Sequence, residues 1–384
     1  MTLRASALAL LVLLCSCKKK DEAAAGGPRR HKIGLVTDVG GRGDQSFNDS
    51  ALRGLELWSA GKRFAHSGYQ PVPADEVQKS LAADLAARVP PIAALPITPV
   101  VLQSKVQEDY EPNLQLLVDQ GMELTVGVGF MLENAVEAVA RRNADAQFLL
   151  IDSPLLDAQA KPYTLPNVRT VIFREEQGSF LVGAIAGLVS RTSRVGFVGG
   201  MEIPLIKKFE AGFRAGLMTT NPEAARSLLV SYTGSFDNVG AGKQVAQDLV
   251  TKGADVVFHA AGSDGLGVIQ AVKEARAGGK NVYAIGCDSD QSHLAPEAVL
   301  TSMVKRVDLA VYKAASDLVA GRFTAGDTAL GLREAGVAYA EIRVDLPGKA
   351  KVLARVEALR QQVIDGTLVV PSTAAELAAF KSAP

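Results

Sequence analysis

The sequence predicts an α/β protein built from parallel sheets, and three observations carry that prediction. Apolar strand-like runs alternate with segments of helical period along most of the chain, a pattern that parallel strands joined by right-handed crossovers produce. The stretch 32–54, KIGLVTDVGGRGDQSFNDSALRG, reads as a strand, a glycine-rich turn and a helix N-terminus, which is the mouth of an open α/β sheet. With 384 residues, 48% of them apolar, the chain is long enough to bury two cores of ordinary domain size.

Taken in order, residues 1–17 read as a lipoprotein signal peptide. Arg4 supplies a positive n-region, and Ala5 to Leu14 an apolar h-region too short to span a bilayer. In Leu14-Cys15-Ser16-Cys17 the small Ser16 precedes Cys17, the expected lipidation site, whereas bulky Leu14 precedes Cys15. An uncleaved anchor and an ordinary secretory signal are the competing readings. Residues 18–31 are charged and small, as a flexible tether should be. The expected location is the cell envelope, lipid-anchored to a membrane and facing periplasm or exterior. After processing, Cys287 is the one thiol left without lipid, so no internal disulfide is expected. No other apolar stretch is long enough to span a membrane.

In the opening stretch, Ile33, Leu35 and Val36 form the strand, and Asp44 or Ser46 is placed to cap a helix that begins near Phe47. Asn48, Ala51, Leu52 and Leu55 follow at helical spacing. Asp38, Asp44, Asn48 and Asp49 surround the aromatic Phe47. That much acid repels a phosphate and suits an uncharged polar ring with donor groups.

Further strands are expected at 92–101, 123–129, 147–151, 195–199, 228–233, 255–259 and 282–286. Helices are expected at 73–88, 131–142, 176–190, 206–218, 240–252, 265–277 and 305–321. Charge is balanced, 41 basic against 41 acidic side chains, so no basic patch indicates a nucleic-acid partner. The four histidines are scattered without metal-ligand spacing, and neither a GxSxG elbow nor a P-loop lysine is present. GLGVIQ at 265–270 lacks the full dinucleotide fingerprint. The residues point to no catalytic site, no metal and no cofactor.

The chain resembles the basic membrane protein family, purine-nucleoside-binding lipoproteins of bacterial ABC importers. The resemblance rests on the opening stretch and on FREEQGSFLVGAIAGL (173–188), VGFVGGMEIPLIKKFEAGFRAG (195–216), SYTGSF (231–236), VVFHAAG (256–262), AIGCDSDQSHLAP (284–296) and VLTSMVKRVD (299–308). It runs from about residue 32 to about 340. It implies the type I periplasmic-binding-protein fold, two doubly wound lobes joined by a hinge that the chain crosses three times. The crossings are placed near Asp152-Ser153-Pro154, Thr301 and Gly326, giving a first lobe of 32–153 plus 302–325 and a second of 154–301 plus 326–384. It also implies a monomer that passes inosine, guanosine or adenosine to an ABC permease and ATPase. A surface adhesin or sensor of the same fold, and a nucleoside-processing enzyme, are the alternatives. Residues 60–104 depart from the family, either as an extended first-lobe loop or as a surface for a partner.

The resemblance assigns Phe47 and Phe236 as rings stacking on the two faces of the base, although a loop Phe can equally staple its helix to the core. It assigns Asp38, Asn48 and Asp152 to the base edge, Asp152 having the alternative of capping the next turn. Gly262 would allow close backbone approach, and Asp288 would accept from the ribose diol. Lys305 would donate to a ribose oxygen or pair with Asp288, or else be a solvated lysine. Phe209 and Phe213 fall at helical spacing and read as core. Asp264 stands where the family has a small residue; it would either alter the ribose end or cap helix 265–277.

Overall fold

The computed structural model describes residues 29–66 and 68–381. The expected signal peptide, Cys17 and most of the expected tether lie outside that range. In chain order, β1 (His31–Thr37), β2 (Ile97–Gln103), β3 (Leu124–Val128), β4 (Gln147–Ile151) and β5 (Val168–Phe173) are parallel strands of one sheet. β6 (Val195–Gly199), β7 (Leu229–Tyr232), β8 (Val256–Ala260), β9 (Tyr283–Asp288) and β10 (Val299–Lys305) are parallel strands of another. β11 (Gly326–Leu330) then joins the first sheet beside β5, and β12 (Val337–Tyr339) joins the second, antiparallel to β10. The sheets run β11-β5-β4-β3-β1-β2 and β7-β6-β8-β9-β10-β12. Each is therefore the doubly wound order 2-1-3-4-5, which places a ligand crevice at the carboxyl ends of its central strands. The inner strands are buried on both faces, which explains their unbroken apolar runs, such as Val256–Ala260.

Helices cover both faces of each sheet. They are α1 (Phe47–Leu52, continued as a π-helical segment Arg53–Ser59), α2 (Tyr110–Asp119), α3 (Glu133–Arg142), α4 (Glu175–Val189), α5 (Pro204–Thr220), α6 (Val239–Thr251), α7 (Asp264–Ala277), α8 (Val307–Val319) and α9 (Lys349–Asp365). α2 and α3 bury Leu114, Leu117 and Val136 against Val36, Phe148 and Leu150 on one face of the first sheet. α8 packs on α1 and its continuation on the other. In the second lobe α6 and α7 cover one face, with Leu249 and Val268 against Val198 and Val257. α4 and α5 lie together on the other, and α9 packs on α4. None of these helices is long and apolar enough to cross a membrane, within the described residues.

The chain passes between the lobes three times, at Arg174, at Arg306 and between Leu330 and Val337. The crossings lie side by side, tied by Arg174 N to Leu330 O at 3.0 Å and Arg306 N to Gly336 O at 2.8 Å. Their positions correct the sequence-based boundaries. Asp152-Ser153-Pro154 ends β4, but the chain returns through a short antiparallel pair, Leu155–Leu156 with Pro162–Tyr163, to β5 of the same sheet. Residues 154–173 thus belong to the first lobe. β10 stays in the second sheet through Lys305, beyond the expected crossing at Thr301. Gly326 begins a first-sheet strand, so 326–330 belong with the first lobe too.

The segment 60–104 holds a hairpin (Lys62–Ala65 with Gly68–Pro71), helices Ala74–Lys79 and Ala83–Ala86, and β2. The continuous helix expected at 73–88 is broken after Lys79, where Ser80 Oγ bonds Val77 O at 2.6 Å and accepts from Trp58 Nε1 at 2.9 Å. A hydroxyl that bonds locally competes with the helix ladder. Leu81, Leu85 and Ile92 pack with Trp58, Leu309 and Ala335. Both carboxylate oxygens of Asp84 accept from Arg306 Nη2, at 2.7 and 2.6 Å, and Arg88 donates to the carbonyls of Leu332 and Arg333. The segment is packed onto the hinge.

Candidate ligand-binding site

A narrow cleft with a free volume of about 50 Å³ lies between the lobes at the carboxyl ends of the strands, where open α/β sheets place their ligands. Its walls are Asp38 after β1, Phe130 after β3, Asp152 after β4, and Phe47 at the start of α1 from the first lobe. From the second come Leu205, Ile206 and Phe209 of α5, Phe236 after β7, Ala260 and Gly262, Cys287, Asp288 and Lys305. Phe236 meets Phe130 edge to face across the lobes, centroids 6.1 Å apart. Gly262 has φ +55°, and a β-carbon there would lie 3.0 Å from Phe236 O. A side chain at this position would disturb the aromatic wall.

The loop after β1 is folded by its own acids. Asp44 accepts from the backbone N–H groups of Ser46, Asn48 and Asp49 at 2.7 to 3.0 Å, so Asp44 and not Ser46 caps α1. Asn48 Nδ2 donates to Asp38 Oδ1 at 2.7 Å and to Asp44 Oδ2 at 3.1 Å. Asn48 therefore aims Asp38 and is not itself part of the cleft wall. Burial pushes Asp38 up to about 6, against the bonds it accepts from Asn48 and the Gly40 backbone. Burial likewise lifts Asp44 to about 7.

Lys305 is the electrostatic centre. Its Nζ lies 2.8 Å from Asp152 Oδ2, 3.7 Å from Glu175 Oε1 and 3.8 Å from Asp288 Oδ1. It also sits 4.8 Å from the Phe47 ring centre and 5.4 Å from that of Phe209. Burial lowers its pKa, but Asp152, Asp288 and Glu175 more than offset that, and the amine stands above its ordinary range. Burial raises Glu175 to about 7 even though Lys208 and Lys305 oppose it, and burial raises Asp288 as well. The solvated-lysine reading of Lys305 is excluded, and its shortest contact is to Asp152 instead of the expected Asp288. Asp152 and Asp288 end strands of the two different sheets with left-handed backbone, φ +76° and +63°. Non-glycine residues held there cost of order 1–3 kcal/mol each, a strain that clusters at functional sites. Asp152 Oδ1 and Asp288 Oδ1 are buried with no hydrogen-bond donor.

The lobes touch directly beside the cleft. Ser46 Oγ donates to Asp288 Oδ2 at 2.9 Å, Ser289 Oγ to Ser46 O at 3.0 Å, and Gln291 Nε2 to Gln45 O at 3.2 Å. Seven of the expected site residues line the cleft, Asn48 standing behind Asp38. Phe209 adds to the sequence reading: it is core and cleft wall at once, while Phe213 is core alone, its ring tilted against Phe258 with centroids 4.9 Å apart. Phe130 went unread, although its place directly after a strand and Gly129 was a usable signal. Leu205, Ile206 and Cys287 carry no polar signal that would separate them from core. Among the described residues no group of His, Cys, Asp and Glu is arranged to hold a metal.

Residues 32–372 match a family model described as Bmp, ABC transporter substrate-binding protein PnrA-like. A CD4+ T-cell-stimulating antigen of Listeria innocua is 33% identical over 378 residues, 94% of each chain. An ABC transporter nucleoside-binding protein of Lactococcus lactis, BmpA, is 29% identical over 96% of this chain and 97% of its own. Among solved structures, an ABC transporter solute-binding protein of Aeropyrum pernix is similar with TM-score 0.71 at 27% identity, covering 91% of this chain and 96% of that one.

Proposed function

The chain belongs to the Bmp family of PnrA-like ABC transporter substrate-binding proteins, and we propose that it captures a purine nucleoside between its lobes. The observation that carries this reading is the pair of donorless, buried oxygens on Asp152 and Asp288, set in an aromatic-walled cleft whose one lysine is already shared among carboxylates. Such a site favours a neutral, flat ligand rich in N–H and O–H groups. A phosphorylated one would meet Asp38, Asp152 and Asp288 at close range, and like charges in a desolvated site cost several kcal/mol.

In this reading Phe47 and Phe236, one from each lobe, stack on the base. Asp38, aimed by Asn48, and Asp152 accept from the base edge. Gly262 lets the base approach the backbone, Asp288 accepts from the ribose diol, and Lys305 donates to a ribose oxygen. Inosine, guanosine and adenosine all offer these groups. The Lactococcus relative is itself named a nucleoside-binding protein, which supports the assignment. The protein would act as a monomer, held by lipid at Cys17 on the outside of a membrane, and deliver its ligand to a permease and ATPase. No catalytic step is assigned. Thermal-shift titration against the three nucleosides, ribose and amino acids tests the reading: stabilisation by nucleosides alone is expected, and stabilisation by none of them refutes it.

A further inference from the structure

The loop that carries Phe236 is held from behind by a carboxylate that the ligand-binding roles leave unused. Asp264 opens α7 and is fully buried. It lies outside the cleft wall, so it does not shape the ribose end. It does not cap its own helix by hydrogen bonding: α7 receives no side-chain cap, and Asp264 makes both of its side-chain bonds to the neighbouring loop. Oδ2 accepts from Ser235 Oγ at 3.0 Å, and Oδ1 accepts from the Asn238 backbone N–H. These partners flank Phe236 along the chain. Between them, Phe236 O accepts from Ser263 N at 2.9 Å, the residue preceding Asp264. The ring then rests on Gly200, where a β-carbon would fall 2.3 Å from Phe236 Cε1.

We propose that Asp264 is a positioning residue: it clamps both ends of the 235–238 loop and thereby fixes the Phe236 ring as the second-lobe wall of the cleft. The carboxylate gives one oxygen to each donor, and it accepts more strongly than a neutral serine or threonine hydroxyl would. The proposal rests on the reading of Phe236 as a face for the base.

A double-mutant cycle with inosine and a fluorine probe test the two separately. Asp264→Asn keeps the size of the side chain but puts an N–H against one of the two donors. It is expected to weaken inosine and free hypoxanthine by the same factor, about tenfold, and to cost less than about twofold in a Phe236→Ala background. If Asp264→Asn fails to fold, Ser235→Ala removes one arm of the clamp and takes its place in the cycle. With 4-fluorophenylalanine at position 236, the single fluorine resonance of the otherwise unmutated protein is expected to broaden or split in Asp264→Asn. Equal losses in both backgrounds, or an unchanged fluorine resonance, would overturn the proposal. Normal inosine binding by Phe236→Ala would instead remove the stacking role, and the fluorine resonance alone would then decide whether Asp264 positions the ring.

Discussion

Lys305 holds together a charge arrangement that would otherwise oppose folding. With Asp152, Glu175 and Asp288 all within 4 Å and all buried, Lys305→Met leaves three carboxylates facing one another with Lys208 alone beside Glu175. Removing one partner of a buried ion pair costs about 3–5 kcal/mol. The loss should grow with pH. Carboxylates whose folded pKa is raised bind more protons folded than unfolded, so stability falls as pH rises through the window from their unfolded values to their folded ones. Lys305 opposes the burial that lifts Glu175 to about 7, so in the variant that window reaches above pH 7. Thermal unfolding of the variant at pH 5 and pH 8 checks this, and a deficit equal at both would contradict it. Asp38 gives a second expectation. In the proposed mode a ligand N–H bonds its ionised form; burial holds Asp38 at about 6, so binding should release close to half a proton at pH 6. Calorimetry in buffers of different ionisation enthalpy measures that release, and Asp38→Asn should abolish it. At this scale the sequence was most informative where chemistry sits at strand ends. The family resemblance picked out Asp38, Asp152 and Asp288, and their places at strand ends agree with it because open α/β sheets hold ligands there. Phe209 was read as core, which it is; its second place in the cleft wall went unseen because a helical phenylalanine that faces a cleft has the same spacing as one that faces the core.

Among the elements, the 60–104 segment offers the clearest test. Asp84 is the carboxylate partner of Arg306, a guanidinium only 3% exposed at the second crossing. Asp84→Ala should destabilise the protein by about 1.5–3 kcal/mol, as loss of a hydrogen bond to a charged group does. Denaturant unfolding measures it, and an unchanged midpoint would mean that the segment does not brace the hinge. Helices α3 to α7 were legible from their periodicity, since a 3.6-residue repeat is local. The strands β5, β10, β11 and β12 were not. Val168–Phe173 is an apolar run without a distinguishing period, and Gly326–Leu330 is an exposed-edge strand of GDTAL. Proline and a left-handed Asp152 announce that β4 ends, but they say nothing about which sheet the next strand joins. That choice is made by pairing Phe148–Ile151 with Val168–Val171, a non-local contact that no local signal encodes.

For the whole molecule, two sheets of the same order face one cleft, and residues of both lobes form its wall. A ligand that touches both lobes stabilises the closed arrangement over an open one. Small-angle scattering should therefore show compaction when nucleoside is added, and Ser46→Ala, which deletes the direct link to Asp288, should shift the unliganded protein toward the expanded form. The acids of the proposed site should make the cleft select a neutral purine nucleoside over a phosphorylated one. Titration calorimetry of the mature protein with inosine and with inosine 5′-monophosphate measures that selection. Inosine is expected to bind one to one and at least about a hundredfold more tightly than its monophosphate, a difference of about 2.7 kcal/mol. Equal binding of the two, or no heat with inosine, guanosine or adenosine, would contradict it.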